Sequence, residues 1–299
     1  MKNPPDYQYM KKIEGNDGFI AALDQSGGST PKALRLYGVG ESEYSNDREM
    51  VDKVHEMRSR IVTSPSFSGD RILGAILFEK TMNLKISGKG SAQYLWQEKQ
   101  VVPFLKVDKG LDEENNGVQL MKPIPGLEEL LRQAIKKEVF GTKMRSVIKN
   151  ANENGVAAIV KQQFEIAKKI IAAKLVPIIE PEVDIHCETK AEAETMLLEH
   201  LMDHIEQLSP DQKVLLKLTI PNENNLFAPC MNHPNVIRVF ALSGGYSRDE
   251  ANSRLARNSG MVASFSRALT EGLSVQQSDE EFNLMLDSSI ESIYQASIT

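Results

Sequence analysis

Eight short apolar runs recur along the chain, and each is followed by a stretch whose apolar residues have helical spacing. The runs are 19–24, 72–78, 104–108, 143–148, 176–182, 214–219, 236–243 and 262–266. Between them, 47–61 places Met50, Val54, Met57 and Ile61 on one face, and 127–135 follows the Pro125-Gly126 break. In 156–173, Val156, Ile159, Val160, Phe164, Ala167 and Ile171 form a third apolar face. Thr189 with Glu192, Ser247 with Glu250 and Ser278 with Glu281 have the capping-box spacing that opens a helix. Strands that alternate with helices pair in parallel, because a parallel neighbour is reached only through a long crossover. Eight such units in 299 residues are the size of a closed (β/α)8 barrel. An open doubly wound sheet would call for a GxGxxG turn after the first strand, and Asp24-Gln25-Ser26-Gly27-Gly28-Ser29 lacks that spacing. The expected fold is therefore an α/β TIM barrel, one domain over 1–299, with helical extensions at both ends. A helix near 6–13 closes the barrel bottom, and a final helix buries Phe282, Met285, Leu286 and Ile290.

Composition narrows the function classes. A hydrophobic share of 41% supports one large core, and a net charge of −6 argues against a general nucleic-acid binder. Cys187 and Cys230 belong to no CxxC pair, so neither a disulfide framework nor a zinc knuckle is expected. No run approaches the roughly 20 apolar residues of a membrane span, and the N-terminus has no apolar signal core, so a cytoplasmic protein is expected.

The polar residues fall where a barrel carries its chemistry, at the C-terminal strand ends. Asp24 ends the first run. Lys106 and Asp108 lie on the third, Lys143 and Arg145 on the fourth, Glu180 and Glu182 on the fifth, and Lys217 inside the sixth. Ser243-Gly244-Gly245 follows the seventh, and Ser264, Ser266 and Arg267 close the eighth. Residues two apart on a strand share a face, so each pair enters the mouth together. Taken singly, a strand-end charge is more often structural: Asp24 can open a turn, and Lys106 can pair with Asp108 or Glu182. An acidic chain whose expected mouth gathers Lys106, Lys143, Lys217, Arg145 and Arg267 is built for anions. Ser243 and Gly244, with Arg267, suit one phosphate; Ser26, Ser29 and Lys106 suit a second. A lysine between two anion sites, in an apolar strand, can attack a carbonyl as a free amine. Lys143 falls in the same barrel layer, and its charge favours that neutral form.

The motifs Leu23-Asp24-Gln25-Ser26, Leu105-Lys106-Val107-Asp108-Lys109-Gly110, Lys143-Met144-Arg145, Pro177-Ile178-Ile179-Glu180-Pro181-Glu182, Leu215-Leu216-Lys217, Leu242-Ser243-Gly244-Gly245-Tyr246-Ser247 and Ser266-Arg267-Ala268-Leu269 resemble those of class I fructose-bisphosphate aldolase. They occur in that family's order and span nearly the whole chain. The resemblance implies a metal-independent lyase of glycolysis that needs no cofactor and acts on a sugar bisphosphate. It implies Lys217 as Schiff-base lysine, Glu180 as principal acid–base residue assisted by Glu182, Asp24 at the C4 hydroxyl, and Lys143 beside the carbinolamine. Ser243, Gly244 and Arg267 would bind one phosphate, and Ser26, Ser29, Lys106 and Arg145 the other. Three positions depart from the family pattern: Gln25 replaces an acid, Ser266 replaces a glycine, and the chain ends at Thr299 without the terminal tyrosine of animal enzymes. The rival readings are another Schiff-base sugar-phosphate aldolase or transaldolase, and a non-catalytic sugar-phosphate-binding barrel. His200 and His204 have metal-ligand spacing on a helix but no third ligand at the rim. The residues leave association into a homo-oligomer open.

Overall fold

Valine, isoleucine, leucine and phenylalanine fill the eight strands, buried on both faces as parallel strands under helices must be. The computed structural model describes residues 4–26 and 28–299; Gly27 of the first turn motif and residues 1–3 lie outside them. The barrel strands are β1 Phe19–Leu23, β2 Ile72–Leu77, β3 Val102–Lys106, β4 Gly141–Ile148, β5 Val176–Val183, β6 Val214–Thr219, β7 Val236–Leu242 and β8 Val262–Phe265. Each pairs in parallel with the next, and β1 pairs with β8, so the sheet closes on itself. Two short additions were not expected from the sequence: a hairpin at Lys85–Ile86 and Lys89–Gly90, and Val118–Gln119 running antiparallel to β4.

Alternation along the strands divides the core in two. Phe19, Ala21, Leu23, Leu216, Leu218, Ala263 and Phe265 face outward into the layer shared with the helices. Ile20, Ala22, Phe104, Ile178, Leu215, Phe240 and Val262 face inward. Phe104 fills the barrel's middle because its neighbours have no side chains: a Cβ on Gly141 would lie 3.0 Å from the Phe104 ring, and one on Gly74 2.8 Å.

The first helix, Pro4–Gly15, seals the bottom as expected. Tyr9 and Ile13 join the inner cluster, and the Tyr9 ring stands edge-on to Trp96 at 4.5 Å and to Phe140 at 5.7 Å. At the other end of the chain, Asp279–Ser297 buries Phe282, Leu286 and Ile290. Its start is a full capping box, in which Ser278 Oγ accepts from Glu281 N at 3.2 Å and Glu281 Oε2 accepts from Ser278 N at 2.8 Å. The expected box at Thr189 does not form. At φ −101° and ψ 32° its hydroxyl turns from the helix, donates to Asn150 Oδ1 at 2.6 Å and accepts from Ala151 N at 2.8 Å. Ser247 caps with its hydroxyl alone, because Glu250 pairs instead with Arg254 at 2.7 Å.

Candidate active site

The same alternation that sends Ile20, Phe104, Ile178 and Leu215 inward continues up the strands to polar residues. Two positions beyond each lie Ala22 and then Asp24, Lys106, Glu180 and Lys217. They open into a cavity of about 600 Å³ whose walls carry every candidate residue named from the sequence, from Asp24, Ser26 and Ser29 round to Ser243, Gly244 and Arg267.

At its floor two carboxylates alternate with two lysines. Asp24 Oδ2 lies 2.7 Å from Lys143 Nζ, which lies 2.9 Å from Glu180 Oε2; Glu180 Oε1 lies 2.8 Å from Lys217 Nζ. Lys143 meets Glu180 as an ion pair without aligned hydrogen-bond geometry. The four side chains are nearly closed to solvent. Burial by itself would raise the Asp24 carboxyl, but the charges of Lys143 and Lys217 outweigh it and hold Asp24 well below the usual carboxylate range. Lys143 is held above the usual lysine range, since Asp24 and Glu180 overcome its desolvation. Glu182 differs: burial pushes its carboxyl up, and Arg145, at 3.2 Å, only partly offsets that. Two carboxyls in one cavity are thus driven in opposite directions, an arrangement that separates an acid from a base.

Lys106 does not reach Glu182. It pairs with Asp108 and donates to that residue's carbonyl at 3.1 Å, and Asp108 Oδ2 accepts from Arg145 N at 3.2 Å. Desolvation, then the charge of Lys143, lowers the Lys106 amine. Across the mouth, Gly244 and Gly245 take positive φ values of 59° and 130°, and a Cβ on Gly244 would lie 2.5 Å from Ile185. A Cβ on Gly245 would approach Arg267 Nη2 to 3.3 Å, so the guanidinium rests on this turn. Ser29 Oγ ties its own turn by accepting from Ser26 N and donating to Ser26 O, both at 2.9 Å.

Three residues that sequence reasoning did not assign support this geometry. Gln163, fully buried, donates to Ser146 Oγ at 2.8 Å and to the carbonyls of Met144 and Glu180 at 3.3 Å, locking β4 to β5 behind the lysines. Arg58, 1% exposed, donates to Thr81 Oγ1 at 2.6 Å and to Gln25 O at 2.5 Å. Ser264 faces the cavity with a buried hydroxyl that has no partner among the described residues. The signal for the first two is a polar residue inside an apolar helical face, Gln163 beside Phe164 and Arg58 beside Met57. For Ser264 it is strand parity with Val262.

The described residues contain no group of three or more His, Cys, Asp or Glu placed to hold a metal ion. His200 bonds Glu153 at 2.8 Å, and His204 stacks on Phe164 at 5.1 Å. No helix among the described residues is long and apolar enough to cross a membrane.

The profile of the family described as fructose-bisphosphate aldolase class-I matches residues 8–235. The chain belongs to the class I fructose-bisphosphate aldolases. A class 1 fructose-bisphosphate aldolase from Synechocystis is 63% identical over 295 residues, covering 99% of this chain and 98% of the relative. Those of Clostridium acetobutylicum and Porphyromonas gingivalis are 58% and 55% identical, each over 97% of this chain and over 98% and 99% of the relative. A solved Plasmodium falciparum fructose-bisphosphate aldolase, crystallised with TRAP and a small-molecule inhibitor, has a TM-score of 0.77 at 19% identity. It covers 98% of this chain and 93% of its own, and shows the same barrel. The class I aldolase is a lyase: it cleaves fructose 1,6-bisphosphate reversibly to dihydroxyacetone phosphate and glyceraldehyde 3-phosphate through a Schiff base.

Proposed function

We propose that Lys217 is the lysine that forms the Schiff base, within one catalytic domain that spans the chain, and that no metal or cofactor takes part. The observation that carries this reading is the 2.8 Å contact between Lys217 Nζ and Glu180 Oε1 at the floor of a cation-lined cavity. A proton passing along that contact leaves a neutral amine and a protonated Glu180. The amine attacks C2 of the ketose. Glu180 then gives up its proton as the carbinolamine loses water, leaving an iminium. The iminium accepts the electrons of the C3–C4 bond as that bond breaks. Asp24, held ionised beside Lys143, takes the C4 hydroxyl proton, and glyceraldehyde 3-phosphate leaves. Glu182, whose burial favours its protonated form, assists in protonating the enamine at C3. Water adds to the restored iminium, dihydroxyacetone phosphate departs and the amine is regenerated, while the proton that Asp24 took from the C4 hydroxyl passes through solvent to replace the one Glu182 gave to C3. Lys143 stays charged throughout and stabilises oxyanion character at the carbinolamine.

Ser243, Gly244 and Arg267 bind one phosphate of the substrate; Ser26, Ser29, Lys106 and Arg145 bind the other. The Ser264 hydroxyl, unpartnered in the cavity wall, bonds the sugar between them. The setting for this reading is the cytoplasm. Borohydride added with fructose 1,6-bisphosphate tests it: the expected product is a reduced three-carbon or six-carbon adduct on the peptide containing Lys217, with or without EDTA. An adduct on another lysine, or loss of activity to the chelator, overturns it.

A further inference from the structure

Gln25 and Ser266 stand at the mouth of the cavity, and the structure joins them. Gln25 Nε2 donates to Ser266 Oγ at 2.6 Å. The two residues come from opposite ends of the chain, Gln25 after β1 and Ser266 after β8. Each adjoins one anion-binding turn: Ser26 follows Gln25, and Arg267 follows Ser266. Behind them, Arg58 is buried with no carboxylate within ion-pair distance among the described residues. Its Nη2 donates to Gln25 O at 2.5 Å and reaches Gln25 Oε1 at 3.2 Å, and its Nη1 donates to Thr81 Oγ1 at 2.6 Å. Both ends of the Gln25 amide are therefore committed, the oxygen to Arg58 and the nitrogen to Ser266. Burial drops the guanidinium to about 10, so it keeps its charge at neutral pH. An isolated buried charge is costly unless fixed donors and acceptors hold it, and a planar guanidinium can hold two of them at a set angle.

We propose that Arg58, Gln25 and Ser266 form a positioning relay that fixes the distance between the two phosphate-binding turns, and so selects doubly phosphorylated over singly phosphorylated ketoses. The inference rests on the two phosphate sites proposed above. A ligand with a phosphate at each end gains from both turns at once only if their separation matches its length. Locking that separation in advance removes the cost of ordering the turns when substrate binds. A monophosphate engages one turn and gains nothing from the lock. None of the three residues reacts, so the relay acts on binding and leaves the lysine chemistry alone.

Calorimetric titration of wild type, Gln25→Ala, Ser266→Ala and the double variant with glucitol 1,6-bisphosphate and with glucitol 6-phosphate tests this. These ligands carry no carbonyl and cannot form a Schiff base. Each single variant is expected to bind the bisphosphate about tenfold more weakly, the effect of one lost hydrogen bond in a partly buried site. Monophosphate affinity is expected to stay within about twofold, and the double variant to bind no more weakly than the worse single one, as coupled partners do. Arg58→Lys keeps the charge but cannot bond Thr81 and Gln25 together, and is expected to show the same selective loss in protein whose circular dichroism is unchanged. In cleavage assays KM for fructose 1,6-bisphosphate rises while kcat holds. Equal weakening of both ligands, or additive losses in the double variant, overturns the relay. Wild type that yields no borohydride adduct would overturn the Schiff-base assignment alone, since the titrations do not depend on it.

Discussion

Glu180 and Lys217 meet oxygen to nitrogen at 2.8 Å, and no other carboxylate among the described residues forms an ion pair with that lysine. The other oxygen of Glu180 faces Lys143 at 2.9 Å. One carboxylate thus contacts two lysines. Lys143 also has Asp24 and is held firmly protonated. Lys217 has Glu180 alone as an ion-pair partner among the described residues. The asymmetry between two lysines on strands β4 and β6 is set by the position of Asp24, on the far side of Lys143.

Lys217→Met is expected to lower cleavage by on the order of 10⁴ or more, as loss of a nucleophile does, and to abolish borohydride trapping. The fold should survive, because Glu180 retains Lys143 as its counter-ion. Steady-state kinetics with a thermal melt decide it, and substantial residual cleavage would remove Lys217 from the mechanism.

Glu180→Gln keeps the size of the side chain and removes its proton traffic. Turnover is expected to fall by roughly 10²–10⁴, the worth of a positioned acid–base group, with KM little changed. Rapid-quench measurement of adduct formation should show the step before C–C cleavage slowed. A variant that forms the iminium at the wild-type rate would transfer the role to Glu182.

Lys143→Met leaves Asp24 and Glu180 buried with one shared cation fewer, and a loss of about 3–5 kcal/mol of stability at neutral pH is expected. Asp24 is held below its usual range in the wild type, so its contribution is complete above pH ~4 and is lost only as pH falls through the lower folded value. In the variant the carboxyl takes up its proton at a higher pH. Urea unfolding followed from about pH 7 to about pH 4 should therefore show the gap between the two proteins narrowing. A gap that widens on acidification would contradict the charge assignment.

Arg145→Met removes the partner of Glu182 and one anion contact. KM for fructose 1,6-bisphosphate is expected to rise about tenfold or more, the scale of a charge-assisted hydrogen bond. Initial rates over a range of substrate concentrations measure it; an unchanged KM would place the phosphate elsewhere.

Strand order and the polar rim were legible because both follow from alternation. The same parity that hides Leu215 exposes Lys217 to the cavity, and the same that hides Ile178 exposes Glu180. Strand starts were less legible. β3 begins at Val102 rather than at Phe104, because Pro103 disguises a strand residue whose N–H the sheet can spare. β4 begins at Gly141, a residue that reads as a turn and is in fact space left for Phe104. Lys106 takes Asp108, one of the two carboxylates the sequence offered it, but the link between Gln25 and Ser266 was not legible. It depends on which loops meet in space, and Gln25 and Ser266 lie at opposite ends of the chain. Arg58 was hidden for a different reason: a helical pattern registers apolar neighbours and passes over a cation whose partners come from other elements.

Among the described residues, Tyr9, Ile13 and Trp96 plug the bottom of the barrel, and the cavity opens at the C-terminal mouth. Substrate, water and both products pass the same opening. In the proposed cycle the piece of sugar bonded to Lys217 cannot leave first, so the free aldehyde must clear the mouth before hydrolytic water reaches the bond beneath it. Sealing one end of the barrel thus imposes an order of departure on the products, and in the reverse direction an order of arrival, with the ketone fragment seated before the aldehyde enters.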